Sequence, residues 1–210
     1  FFEMPQQSFV YKRSKMKNWR KKDGNIPNLY LDLASHLLSF TYYFFNDYPK
    51  EVKNFSSKNN RFKAVDNCYT WLKFKNFHGS FWFSKNSSGQ RNQLSIRIFG
   101  TKGSIKWVHS KPESIIFFDN DGNIKVIDRL NKNSQYINNN NFFTYVAGHP
   151  NGFLDAFANI YLSISKIFLS KKIKKRVPLI LNLKENLNIM SVLKSMIIAS
   201  KKNKWVKTFI

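Results

Sequence analysis

Apolar positions recur along this chain at two periods, and the change from one to the other marks the elements. Leu29, Leu33, Leu37, Phe40 and Phe44 recur at steps of three and four, which predicts an amphipathic helix over about 29–46. Asn28, directly after Pro27, is its predicted N-cap. The period then falls to two. In "NCYTWLKFK", Cys68, Thr70, Leu72 and Phe74 alternate with Tyr69, Trp71 and Lys73, as a half-buried strand requires. "GSFWFSK" follows as a second strand, after a short turn placed at His78–Gly79. "QLSIRIF" and "SIKWV" read as strands joined by the hairpin "GTKGS", and "SIIFF" and "IKVI" flank the turn "DNDGN". Helical spacing returns through Phe153, Phe157, Ile160, Ile164 and Ile167, predicting a helix over about 152–169. Another is predicted over about 183–200, and "WVKTF" closes the chain as a short strand.

The remaining stretches complete the layout. Residues 1–10 read as a strand, the basic run "YKRSKMKNWRKKDG" as a loop, and the Asn-rich segment 131–141 as another loop. No internal repeat is visible. Neighbouring strands with tight turns predict a largely antiparallel sheet. Helix, strands in series, then two helices is an α+β arrangement: an open, mostly antiparallel sheet with helices packed on one face.

Composition narrows the chemistry. The chain has 210 residues, 42% of them hydrophobic, enough for one substantial core and, by length, one domain. It begins Phe-Phe-Glu and not with Met, so it is expected to be a fragment of a longer protein. The lone cysteine, Cys68, excludes an internal disulfide and any CxxC metal site, and its alternating context marks a buried strand thiol. His36, His78, His109 and His149 show no metal-ligand spacing, so no metal is expected. No apolar run reaches the roughly 18–20 residues that a bilayer requires, and no signal peptide is visible. A soluble, cytoplasmic protein with no membrane partner is the expectation.

The net charge of +23 suggests a polyanionic partner at first. Lysine dominates arginine, however, and Asn, Ile, Phe and Tyr are abundant alongside it. These residues share AT-rich codons, and the basic positions are spread along the whole chain. The charge is therefore read as compositional, with no specific nucleic-acid partner. Lys166 and the run "KKIKKR" at 171–176 are read as solvated surface. Neither GxGxxG nor GxxxxGK[ST] occurs, so no dinucleotide site is visible.

One pair of residues carries candidate chemistry. Asp32 and His36, in "LYLDLASHLLSF", lie four apart on the predicted helix and would face the same side. The carboxylate could then orient the imidazole and stabilise its protonated form, the equipment for removing a proton near neutral pH. An ordinary helix-surface pair has the same spacing. Spacing alone leaves both readings open.

The segments "EMPQQSFV", "NWRKKDG", "LYLDLASHLLSF", "VDNCYTWLKFKNFHGSFWFSKNSSGQRNQLSIRIFGTKGSIKW", "AGHPNGFLDAFANIYLSI" and "ASKKNKWVK" occur in this order. Together they resemble the C-terminal domain of the glucose–fructose oxidoreductase / inositol dehydrogenase / MocA (Gfo/Idh/MocA) oxidoreductases, over nearly the whole chain. The resemblance implies a glyceraldehyde-3-phosphate-dehydrogenase-like open sheet that closes a sugar or polyol site and forms a homo-oligomer through its face. Tyr69, Trp71, Phe81 and Phe83 are the aromatic residues expected there. It implies a separate N-terminal Rossmann domain, missing from these 210 residues, that binds NAD or NADP and carries a catalytic lysine. Asp32 and His36 match the family's catalytic Asp and His, with His36 accepting the hydroxyl proton and Asp32 supporting it. Gln6, Trp19 and Arg20 match residues implied as substrate contacts, and His149, ahead of the helix near Gly152, could point into the cleft; Arg20 as one more charge in a basic loop and His149 as a loop residue held by a cap stay open as alternatives. "DLASH" has Ala34 where relatives have glycine. Taken alone, these residues are expected to be inactive. The competing readings are a stand-alone accessory subunit that kept the fold without catalysis, and a basic β domain that binds nucleic acid.

Overall fold

The computed structural model describes residues 1–10, 17–58, 62–131, 149, 152–169 and 180–210. Most of the Asn-rich segment and the run 171–176 lie outside them. The described chain divides into two compact units, Phe1–Ser95 with Leu183–Ile210, and Ile96–Asn182.

The first unit holds the strands β1 (Phe2–Pro5), β2 (Glu51–Lys58), β3 (Val65–Lys73), β4 (His78–Ser84) and, later in the chain, β9 (Val206–Lys207). They lie in the order β1-β4-β3-β2-β9. β1 runs parallel to β4, and the β4–β3, β3–β2 and β2–β9 pairs are antiparallel. The register places Ser56 opposite Cys68, Asn54 opposite Thr70 and Val52 opposite Leu72. Cys68 and Thr70 in turn face Phe83 and Phe81. These residues form the inner face of the sheet. Tyr30, Leu33, Leu37 and Leu38 cover it, as do Val192, Leu193, Met196 and Ala199 of α3 (Leu183–Lys202), and all are buried. Glu185, at the start of α3, accepts hydrogen bonds from Tyr42 Oη through its carboxylate (2.8 Å) and from Tyr48 Oη through its backbone carbonyl (3.1 Å), locking that helix to the first.

The helix expected over 29–46 is present, but its first turn is wide. Tyr30–Ala34 form a π turn, and α1 (Ser35–Phe45) continues from it to a left-handed Asn46. A π turn adds about one residue to a helical turn and rotates everything after it. Leu29, Leu33 and Leu37 are buried as expected, but the stripe then continues through Leu38 and Thr41 while Phe44 is 47% exposed. Asn28 is not the cap. Asp23 Oδ1 accepts the Asn28 N–H at 3.0 Å and does that work from the preceding loop.

Two further expectations change. β2 was not visible in the hydrophobic pattern, and the turn before β4 lies between Phe74 and Phe77, with His78 and Gly79 already in the strand. Phe81 and Phe83 do not belong to the outer sheet face. They point into the core, because strand alternation puts them opposite Thr70 and Cys68. The outer face instead carries Phe55, Tyr69, Trp71 and Trp82, with the Tyr69 and Trp82 rings stacked at 5.9 Å.

Cys68 is a core thiol, as its alternating context implied. It donates to Asn54 Oδ1 at 2.9 Å, and burial pushes its pKa from 9.0 up to about 12. The Tyr30 hydroxyl is raised as well, chiefly by burial and then by the neighbouring Cys68. A raised folded-state pKa on an acid leaves the native thiol protonated while the unfolded one ionises. Its contribution is complete below 9.0 and is lost as pH climbs from there towards about 12. Thermal melts of the wild type and Cys68→Ala across that alkaline range check this. The wild type is expected to lose stability more steeply.

The second unit is a meander of β5 (Ser95–Gly100), β6 (Gly103–Val108), β7 (Ser114–Phe118) and β8 (Ile124–Asp128), followed by α2 (Phe153–Leu169). Both hairpin signals read from the sequence are present. Gly103 has φ 136°, and a Cβ there would lie 2.3 Å from the Phe118 carbonyl oxygen, so only glycine fits. Asp119 accepts the backbone N–H groups of Asp121 (3.1 Å) and Asn123 (2.8 Å) and closes the β7–β8 turn. Bonds from Asn123, with the nearby Lys125 ammonium adding less, hold its carboxyl below the usual range. No residue of α2 is buried by the described residues.

Candidate active site

The loop before the first helix is tied down by two polar residues. Asp23 Oδ1 takes the Asn28 N–H, and Asp23 Oδ2 takes the Val65 N–H at the start of β3 (2.8 Å). Asn28 Nδ2 donates back to the carbonyls of Trp19 and Lys22, both at 2.9 Å. Trp19 and Arg20, in the short 3-10 turn Asn18–Lys21, are thereby fastened to the helix that carries Asp32. The Trp19 ring is exposed, and the Arg20 guanidinium lies over it at 4.9 Å. Arg20 Nε is buried and has no hydrogen-bond partner among the described residues.

Asp32 sits inside the π turn and His36 one turn on, in α1. Asp32 does not bond to His36. Its Oδ2 pairs with the Lys85 ammonium, a partner 53 positions along the chain. The Lys85 side chain is 4% exposed and that of Asp32 35%. His36 is exposed, and its ring forms no hydrogen bond among the described residues.

Lys85 is the residue that the sequence pattern passed over, because it reads as the polar end of the strand "GSFWFSK". It follows β4 directly. Its N–H donates to the Asp66 carbonyl, its own carbonyl accepts the Phe9 N–H (both 2.8 Å), and its Nζ lies 5.8 Å from the centre of the Phe9 ring. A lysine ending an alternating apolar strand was the only available signal.

Gln6 lies at the end of β1, beside the same end of β4. Its N–H donates to the Ser84 carbonyl (2.8 Å), and its carbonyl accepts the Ser87 N–H (2.9 Å). Its side-chain amide donates to Asn92 Oδ1 (2.5 Å). Gln6, Trp19, Arg20, Asp32 and His36 thus all belong to the first unit. His149 belongs to the second and is exposed.

A dinucleotide does not fit the described residues by themselves. Its phosphates need a glycine turn opening a helix with free N–H groups. Among the described glycines with positive φ, Gly152 alone stands at a helix start, and its N–H is taken by Asp155 Oδ2 at 3.0 Å. A carboxylate occupies the place a phosphate would need. No helix among the described residues is long and apolar enough to cross a membrane.

Comparison with known proteins follows the same lines. No curated protein matches the sequence. Solved structures match with high coverage of this chain. An oxidoreductase from Sinorhizobium meliloti is similar at 20% identity and TM-score 0.79, over 98% of this chain and 55% of its own. An inositol dehydrogenase homolog from Azotobacter vinelandii, complexed with NADH and myo-inositol, is similar at 17% identity and TM-score 0.81, over 98% and 56%. A levoglucosan dehydrogenase in complex with NADH and L-sorbose is similar at 14% identity and TM-score 0.77, over 98% and 57%. The chain therefore spans little more than half the length of these proteins. The family described as "Oxidoreductase family, C-terminal alpha/beta domain" matches residues 5–208, and the chain belongs to this family, the Gfo/Idh/MocA oxidoreductases.

Proposed function

We propose that these residues are the substrate-binding half of an NAD- or NADP-dependent oxidoreductase that transfers hydride between a hydroxyl-bearing carbon of a sugar or polyol and the nicotinamide. The family match over residues 5–208 carries this reading. The solved relatives with myo-inositol and L-sorbose bound support the substrate class. In this reading a dinucleotide-binding domain outside these residues holds the cofactor, which supplies the hydride acceptor or donor. The residues in hand manage the substrate and its proton.

His36 is the proton acceptor. An alcohol that loses hydride must also lose its hydroxyl proton, and an exposed imidazole has a ring nitrogen to take it. Asp32 is the carboxylate that supports the resulting positive charge. Arg20 offers guanidinium N–H groups to substrate oxygens, and Trp19 offers an indole face for a sugar ring. Gln6, in the same unit, adds a side-chain amide to these substrate contacts. The outer sheet face, with Phe55, Tyr69, Trp71 and Trp82, is the surface for self-association into a homo-oligomer.

The test compares two proteins. The whole protein is expected to reduce NAD or NADP in the presence of a polyol such as myo-inositol. The 210 residues alone are expected to show no turnover. Turnover by these residues alone would refute the division of labour. A whole protein with neither cofactor binding nor polyol oxidation would favour an accessory subunit.

A further inference from the structure

We propose that Lys85 is a positioning residue for Asp32. The inference rests on the dehydrogenase reading above and extends it to a residue that reading does not use.

The Asp32–Lys85 pair is asymmetric. Lys85 is 4% exposed on its side chain, so it cannot itself meet a substrate, whereas Asp32 is 35% exposed and can. A buried ammonium needs a carboxylate partner, and Asp32 is the one it has. Three further contacts anchor Lys85: the Asp66 carbonyl, the Phe9 N–H and the face of the Phe9 ring. Its main chain is therefore fixed at the end of β4, and its head group lies between the Phe9 ring and the Asp32 carboxylate.

Asp32 is set by the opposite side. It lies in the π turn, where the helix is wider than regular and its side-chain directions are rotated. Lys85 fixes one oxygen of the carboxylate from below. The other oxygen is left to act as acceptor towards the reacting hydroxyl or towards the His36 ring once protonated. Side chains that hold a catalytic group in one geometry act on the rate of the chemical step, because small displacements are costly there. Lys85 would thus supply from the sheet what the i, i+4 spacing does not supply along the helix.

The experiment uses the whole protein, with NAD or NADP and myo-inositol, levoglucosan and L-sorbose as probes, and measures kcat, KM and the thermal midpoint separately. K85M is expected to lower kcat at least about tenfold while KM changes less than about threefold. K85R should recover most of the loss, because it restores the cation. In a D32N background, K85M should lower kcat no further, since the two act as one unit. K85M with unchanged kcat and a lowered thermal midpoint would overturn the proposal and make the pair a structural pin. So would losses that multiply fully in the double variant. If K85M does not fold, Lys85→Gln makes the same comparison. A wild type inactive on all the probes would overturn the dehydrogenase reading and this inference with it. An active wild type with an indifferent Lys85 removes this inference alone.

Discussion

His36→Ala in the whole protein is expected to lower kcat for polyol oxidation by about 10²–10⁴-fold, the range that a positioned general base contributes. KM should change little, because the imidazole is asked to act on the proton in the transition state and not to hold the substrate. The folded domain should tolerate the change. His36 is exposed and its ring forms no hydrogen bond among the described residues, so little packing or bonding is removed. Steady-state kinetics with unfolding measured alongside would show both halves of the expectation. A variant as active as the wild type would remove His36 from the chemistry and leave the proton to another group.

Asn54→Leu is expected to destabilise the first unit by about 3–5 kcal/mol, the largest effect on stability anticipated from a single polar residue here. Asn54 lies on the inner face of β2 and is 2% exposed. Its amide donates to the Tyr30 hydroxyl at 2.6 Å, and its Oδ1 accepts from Thr70 Oγ1 (2.6 Å) and Cys68 Sγ (2.9 Å). Leucine fills a similar volume but removes the partner that all three groups share in the core. Leaving a buried polar group without its partner costs more than never having had the pair. Adding Tyr30→Phe and Thr70→Val to Asn54→Leu should therefore restore part of the loss. Denaturant unfolding of the single and triple variants makes the comparison. Asn54 also bears on function, because Tyr30 opens the π turn that carries Asp32.

The same residue explains why β2 was illegible in the sequence. A strand is recognised by apolar residues on its inward positions, and here the inward positions read Val52, Asn54 and Ser56. The last two are polar because they bond to Tyr30, Cys68 and Thr70 and to Ser200, which only the folded structure reveals. The other strands were legible because their inner faces are apolar or their turns carry Gly103 and Gly122 at positive φ. The first helix was legible as a helix but not in phase. A π turn has no composition of its own, so Phe40 and Phe44 looked like core. The candidate site divides in the same way. Asp32 and His36 stood out by spacing and by family resemblance. Lys85 could not, since nothing local links it to a residue 53 positions away.

The first unit is assembled from two stretches of chain separated by the whole of the second, Ile96–Asn182. This has a consequence for synthesis. The inner sheet face is finished early, but α3, which supplies Val192, Leu193, Met196 and Ala199 to cover it, is translated afterwards, and β9 closes the edge beside β2 only at Val206. While the ribosome makes the intervening residues, the nascent sheet presents Val52, Leu72, Phe81 and Phe83 without the cover that α3 supplies. The second unit has all of its strands before that cover arrives. The first-made strands thus wait for α3 and β9 to be translated, and their apolar inner face is the surface left uncovered longest during synthesis.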